Sequence, residues 1–263
     1  MAVRVGLIGC GAIGRALARA VSRGEVPGAR MALLFDADPA RARSLAAALR
    51  PRPRVAPAFA EFQRAAPLDV AVEAASQEAA AEYAVPLLAA GRDLLVMSAG
   101  VLLRPRWLAR AEAAARRSGA RLVVPSGAVA GLDGLRAIRD EIESVALTTR
   151  KPPASLGLKV SRRRLLYAGP AREAVRRFPR NVNVAATLAA ATLGGERTRV
   201  RLVAEPGLRR NIHEIEARGG FGRMAFLLEN VPSPENPATS RLAIRSAVEA
   251  LRGLAGGPVR VGS

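Results

Sequence analysis

Apolar residues along this chain come in short, nearly continuous runs, separated by longer stretches where they recur every three or four positions. The first run, Val3 to Ile8, leads into Gly9-Cys10-Gly11-Ala12-Ile13-Gly14 and then a segment with Ile13, Leu17 and Val21 on one helical face. A second run, Met31 to Phe35, ends on Asp36, and Pro39 at a first-turn position opens a helix to about Leu49. Arg54 to Phe59 reads as a short third strand. Asp69 to Ser76 reads as an apolar strand with a polar exit, followed by a helix from Gln77 to about Ala90. Leu94 to Ser98 and Leu122 to Ser126 repeat the pattern around a helix from Trp107 to Arg117. Fully apolar strands separated by helices predict a parallel sheet covered on both faces.

After about residue 127 the rhythm changes. Ser144 to Thr149 reads as a strand and Asn183 to Leu193 as an alanine-rich helix. Three strands then follow closely: Thr198 to Ala204, Arg210 to Arg218 and Arg223 to Leu228. Their spacing predicts an antiparallel or mixed sheet. Asn236, with Pro237 behind it, reads as the cap of a long helix to about Leu251 that packs back on the first domain. The expected fold is therefore α/β: a Rossmann-type parallel sheet, a second, smaller α+β domain, and a C-terminal helix returning to the first domain. The expected boundaries are 1–127, with 236–263 returning to it, for a dinucleotide-binding domain, and 128–235 for a substrate domain.

The glycine turn carries the first chemistry. Gly9 permits the tight turn, Gly11 lets backbone approach a pyrophosphate, and Gly14 lets helix and strand pack closely. Phosphates would lie at the helix N-terminus, beside Ala12 and Ile13, where free N–H groups and the macrodipole favour negative charge. Asp36, 22 positions after Gly14, stands where a ribose-binding acid is expected. Ligands of such sheets lie past the carboxyl ends of the strands, so Ser76, Ser98 and Ser126-Gly127-Ala128 are expected to line a nicotinamide pocket.

Composition narrows the classes. The 263 residues carry 41 lysines and arginines against 22 acids, a net charge of +19, which invites a nucleic-acid reading. Only Lys151 and Lys159 are lysines, the arginines are spread along the chain, and few aromatic residues interleave for base stacking, so no nucleic-acid partner is expected. The one dense cluster, Arg162-Arg163-Arg164 with Arg172, Arg176, Arg177 and Arg180, reads as a solvated face or an anion-attracting rim. One cysteine and one histidine leave no disulfide and no metal cluster. With no apolar run of membrane-spanning length and no leader pattern, the expectation is a cytoplasmic protein without a membrane partner.

His213 is the only histidine. Strand alternation puts Arg210, Ile212, Glu214, Glu216 and Arg218 on an exposed face, with Asn211, His213, Ile215 and Ala217 on the inward one. Spacing alone leaves two readings for His213, a hydrogen-bonded core residue or a proton-transfer group titrating near neutrality. Arg150 and Lys151 end a strand as adjacent cations that either hold carboxylates or are simply solvated. Asn183 opens a helix, as a cap or a cofactor contact. Asp133 is expected to cap the helix after it.

These segments resemble the L-aspartate dehydrogenase family: the glycine turn, Pro125-Ser126-Gly127-Ala128 through Asp133, Thr149-Arg150-Lys151-Pro152, Asn181 through Thr187, Asn211 through Gly219, and Asn236-Pro237-Ala238-Thr239-Ser240. The resemblance implies oxidation of L-aspartate to iminoaspartate by hydride transfer to NAD or NADP. The imine then yields oxaloacetate and ammonia or enters NAD biosynthesis. It also implies His213 as the active-site histidine, Ala128 and Asn183 as cofactor contacts, and a homodimer. Arg150, Lys151 and Asn211 are the expected substrate contacts. Asp36 favours NAD over NADP, with Arg41 and Arg43 softening that preference. The rival readings are another small-acid dehydrogenase of the same plan and a non-catalytic NAD-sensing regulator. The segment between Lys151 and Asn181 is shorter than in several members of that family.

Overall fold

The computed structural model describes residues 2–65, 67–179, 183–233 and 236–256. The chain forms two compact units. One runs to Pro125 and resumes at Ile244; the other is Ser126–Ala243.

The first unit contains β1 (Val3–Ile8), α1 (Ala12–Ser22), β2 (Ala29–Phe35), α2 (Pro39–Ala47), β3 (Arg54–Val55), α3 (Phe59–Arg64), β4 (Val70–Glu73), α4 (Gln77–Ala89), β5 (Asp93–Val96), α5 (Pro105–Ser118) and β6 (Leu122–Val123). Its sheet has the order β3-β2-β1-β4-β5-β6 with every pairing parallel. Alternation along the strands sends Leu7, Val70, Val72 and Leu95 to one face and Ile8, Ala71, Leu94 and Val96 to the other, and both are buried. Each fully buried aliphatic side chain contributes about 1.5–3 kcal/mol. The strand order reverses between β1 and β4, the position where open α/β sheets bind their ligands.

The second unit contains α6 (Leu132–Ala137), β7 (Ile142–Lys151), β8 (Arg164–Pro170), α7 (Ala171–Arg177), α8 (Asn183–Ala191), α9 (Gly194–Arg197), β9 (Arg199–Ala204), β10 (Asn211–Gly219), β11 (Gly222–Asn230), β12 (Pro232–Ser233) and β13 (Asn236–Ser240). Five strands make a mixed sheet, β11-β10-β7-β9-β8, in which β7 lies antiparallel to β10 and parallel to β9. The last helix, α10 (Arg241–Leu254), buries Ala247, Val248, Leu251 and Leu254 in the same core as Leu17 and Val21 of α1.

Several expectations change. The third strand ends at Val55 because Pro57 lacks an N–H for the ladder, and Phe59 instead starts α3, stacked on Tyr83 at 4.0 Å between ring centroids. The C-terminal helix starts at Arg241 instead of Asn236. Residues Asn236–Ser240 are held extended by pairing with Pro232–Ser233, and Ser240 supplies the cap, accepting from Ala243 N–H at 3.1 Å. The return to the first unit accordingly begins later than residue 236. Asp133 does not cap α6; Gly131 does so in the left-handed region at φ +72°, a conformation that L side chains rarely adopt, and Asp133 lies exposed in the first turn. Strand β8 and helix α7 were not expected, their arginines hiding an extended and then a helical pattern. Arg163 reaches Glu205, Arg172 pairs with Glu196 and Arg177 with Glu173, so three arginines of the cluster are engaged by acids. Arg180, Asn181, Val182 and residues 257–263 lie outside the described residues. Among the described residues no helix is long and apolar enough to cross a membrane, and no group of metal-ligating side chains occurs.

Candidate active site

In the first unit the glycines fit the geometry that a dinucleotide requires. Gly9 has φ +93°, and a Cβ there would lie 2.7 Å from the backbone of Ala74 and Ala75 at the exit of β4. A Cβ on Gly14 would lie 1.9 Å from the Gly9 carbonyl oxygen, so α1 can approach β1 this closely only with glycine. Gly11 differs: nothing lies within 4 Å of where its Cβ would stand. It also caps α1 without a side-chain hydrogen bond, and no acid occupies the first turn. The start of α1 therefore offers open space at Gly11 beside uncapped N–H groups and a dipole that favour an anion.

Asp36 is tied to this turn. Its carboxylate accepts from Cys10 N–H at 2.6 Å and from Asp38 N–H at 2.8 Å, leaving lone pairs for further donors. Arg41 is engaged by Asp38 at 3.2 Å. Cys10 is fully buried, and burial, reinforced by the Asp36 charge, pushes its thiol up to about 12. It is a packing residue, inert as a nucleophile.

The serines at the strand exits are already in use. Ser76 is exposed and its hydroxyl caps α4 by accepting from Ala79 N–H at 3.1 Å. Ser98 donates its hydroxyl to Glu73 at 2.9 Å. Glu73, 1% exposed at the end of β4, also accepts from Ala75 N–H at 2.8 Å and Ser98 N–H at 3.1 Å. Burial pushes its carboxyl above the ordinary value, opposed by these hydrogen bonds. Glu73 thus clamps the exits of β4 and β5 together. Sequence reasoning passed over it as one more strand residue; a lone acid ending an apolar run was the available signal.

In the second unit, β7 and β10 bring four polar side chains to one buried face. Thr149 stands directly opposite His213 in the ladder, and its Oγ1 lies 3.0 Å from His213 Nδ1. Lys151 and Asn211 are the next residues on that face of their strands, and all four are at most 4% exposed. Burial, then the Lys151 charge, pushes His213 down to about 3 from 6.5. Burial also pulls the Lys151 ammonium down to about 8. The imidazole is therefore a neutral group in the protein as it stands, and not one titrating near neutrality.

The structure separates Arg150 from Lys151. Strand alternation turns Arg150 to the opposite face, where Glu214 holds it at 2.5 Å and Glu205 at 3.4 Å. Arg150 does not join His213. Asn183 is exposed at the start of α8, its carbonyl accepting from Thr187. Ala128 is buried, and its carbonyl accepts from Asn230 Nδ2 at 3.2 Å. Thr149 was not singled out from the sequence, because its partner lies 64 residues away.

Comparison with known proteins identifies the family. Residues 133–254 match the family described as aspartate dehydrogenase, C-terminal, and residues 9–125 match the homoserine dehydrogenase NAD binding domain. L-aspartate dehydrogenases of Methanosarcina barkeri and Nitrosopumilus maritimus are 41% and 38% identical, each alignment covering 99% of this chain and at least 99% of the relative. The crystal structure of aspartate dehydrogenase from Thermotoga maritima matches at TM-score 0.78 and 28% identity, covering 99% of this chain and 100% of that one. Scyllo-inositol dehydrogenase from Lactobacillus casei with bound NAD(H) shares the fold at TM-score 0.60 and 12% identity, covering 97% of this chain and 88% of that one.

Proposed function

The chain belongs to the aspartate dehydrogenase family, and from that premise we propose how its own residues carry the reaction. It is an oxidoreductase that oxidises L-aspartate with a pyridine nucleotide. When bound, the nicotinamide supplies the hydride acceptor. The N–H groups around Gly11, Ala12 and Ile13 would hold the pyrophosphate, and Asp36 would accept from the ribose hydroxyls. Ala128 and Asn183 are carried as further cofactor contacts from the resemblance, and Ser76 from its place at the exit of β4.

In the second unit Lys151 holds one substrate carboxylate by charge and Asn211 orients the substrate by hydrogen bonding. His213, through Nε2, accepts a proton from the substrate amine as the Cα–H bonding pair leaves as hydride. The product is iminoaspartate. Water then adds to its C=N bond and ammonia leaves, giving oxaloacetate. Burial alone makes His213 a weak base, but a bound dicarboxylate adds negative charge beside it and favours the imidazolium. Arg150 has no part in substrate binding, since two glutamates hold it on the other face.

The observation that carries this reading is the buried Thr149–Lys151–Asn211–His213 face, a set of polar groups that a merely structural sheet has no need to bury. NAD is the preferred cofactor, because Asp36 repels a 2′-phosphate and Arg41 is engaged by Asp38. A homodimer and a cytoplasmic setting are carried from the resemblance and from the sequence pattern. The test is aspartate-dependent reduction of NAD and of NADP at alkaline pH. Turnover with a lower KM for NAD is expected. A lower KM for NADP would overturn the role of Asp36, and no aspartate-dependent reduction with either cofactor would overturn the substrate reading.

A further inference from the structure

We propose that Thr149 is a positioning residue that sets which ring nitrogen of His213 carries the proton. This rests on the reading of His213 as the base. Thr149 and His213 are directly paired across β7 and β10, are 2% and 3% exposed, and meet through Oγ1 and Nδ1 at 3.0 Å. A neutral imidazole has one N–H donor and one lone-pair acceptor, and the hydrogen bond at one nitrogen decides the state of the other. If the threonine hydroxyl accepts from Nδ1–H, the lone pair is on Nε2, free to take a proton from an amine. If the hydroxyl donates instead, Nε2 carries the hydrogen and is blocked.

The β-branched side chain suits this role. Threonine has restricted χ1 freedom in a strand, so its oxygen keeps a fixed direction. Burial, and then the Lys151 charge on the same face, disfavours the doubly protonated ring and leaves the choice between the two neutral tautomers. The bond thereby acts on the form of the imidazole that burial selects.

Because His213 is the only histidine, a protein labelled with 15N-histidine gives a single set of imidazole signals. The Nδ1–H tautomer is expected in the wild type, with no imidazolium between pH 8 and pH 5, well above the value near 3. Thr149→Val should shift the signals toward Nε2–H and lower kcat for aspartate roughly tenfold or more, with NAD affinity unchanged. Thr149→Ser should restore the Nδ1–H tautomer and most of kcat. An Nε2–H tautomer in the wild type, or a valine variant with wild-type tautomer and kcat, overturns the proposal. His213→Ala, assayed alongside, separates the two levels: undiminished turnover there removes the base reading itself, whereas loss there with an unaffected valine variant removes only Thr149.

Discussion

At the end of β1 the surface offered to a ligand is main chain, whereas on the β7–β10 ladder it is side chain. The glycine turn works by what is missing: Gly9 and Gly14 have no room for a Cβ, and Gly11 has open space. The ladder works by what is present, four buried polar groups drawn from strands far apart in sequence. A backbone cradle suits a cofactor whose phosphates are recognised by N–H groups and a dipole. A small dicarboxylate offers too little surface for that, and is recognised by placed charges and a base. The same contrast explains why Glu73 and Thr149 were found only in three dimensions. Each arranges other groups, Glu73 the strand exits and Thr149 an imidazole.

Among variants that separate the two surfaces, crowding the cradle is expected to cost both stability and cofactor binding. In Gly14→Ala the new Cβ meets the Gly9 carbonyl, so helix and strand must part, lowering thermal stability by about 1–3 kcal/mol together with NAD binding. Gly11→Ala, whose Cβ meets nothing, should melt like the wild type yet bind NAD roughly tenfold more weakly. Paired melting curves and NAD titrations check this. Equal NAD affinity in Gly11→Ala and the wild type would show that ligand backbone does not approach there.

A second contrast separates the two faces of β7. Lys151→Met keeps the side-chain volume and removes the charge, and should raise KM for aspartate roughly ten- to a hundredfold. Arg150→Ala breaks its pairs with Glu205 and Glu214 and should leave KM within about twofold, since partly exposed ion pairs contribute little. A reversed order in steady-state kinetics would place the substrate on the outer face.

The cradle was legible because its chemistry is local. Gly9 to Gly14, the preceding strand and Asp36 lie within one βαβ span, and each carries its role in its own residue type. His213 was half legible: alternation within β10 assigned it to the buried face, but its titration stayed open, because burial and then Lys151 push it down only through the folded sheet. Arg150 and Lys151 looked like a pair because they are neighbours in sequence, although strand alternation already argued that neighbours face opposite ways. Thr149 was illegible without the strand order, since β7 pairs with β10 across intervening β8, α8 and β9. Asn236-Pro237 has the form of a helix start, but pairing to Pro232–Ser233 overrode that local preference and moved the cap to Ser240.

The most direct test of the division between a main-chain cradle and a side-chain active face is His213→Ala, with kcat for aspartate and NAD affinity measured on the same preparation. Turnover is expected to fall by roughly two to four orders of magnitude, the contribution of a positioned base, while NAD affinity stays within a few-fold. A variant with near wild-type kcat would return His213 to a packing role and contradict the assignment of catalysis to this face.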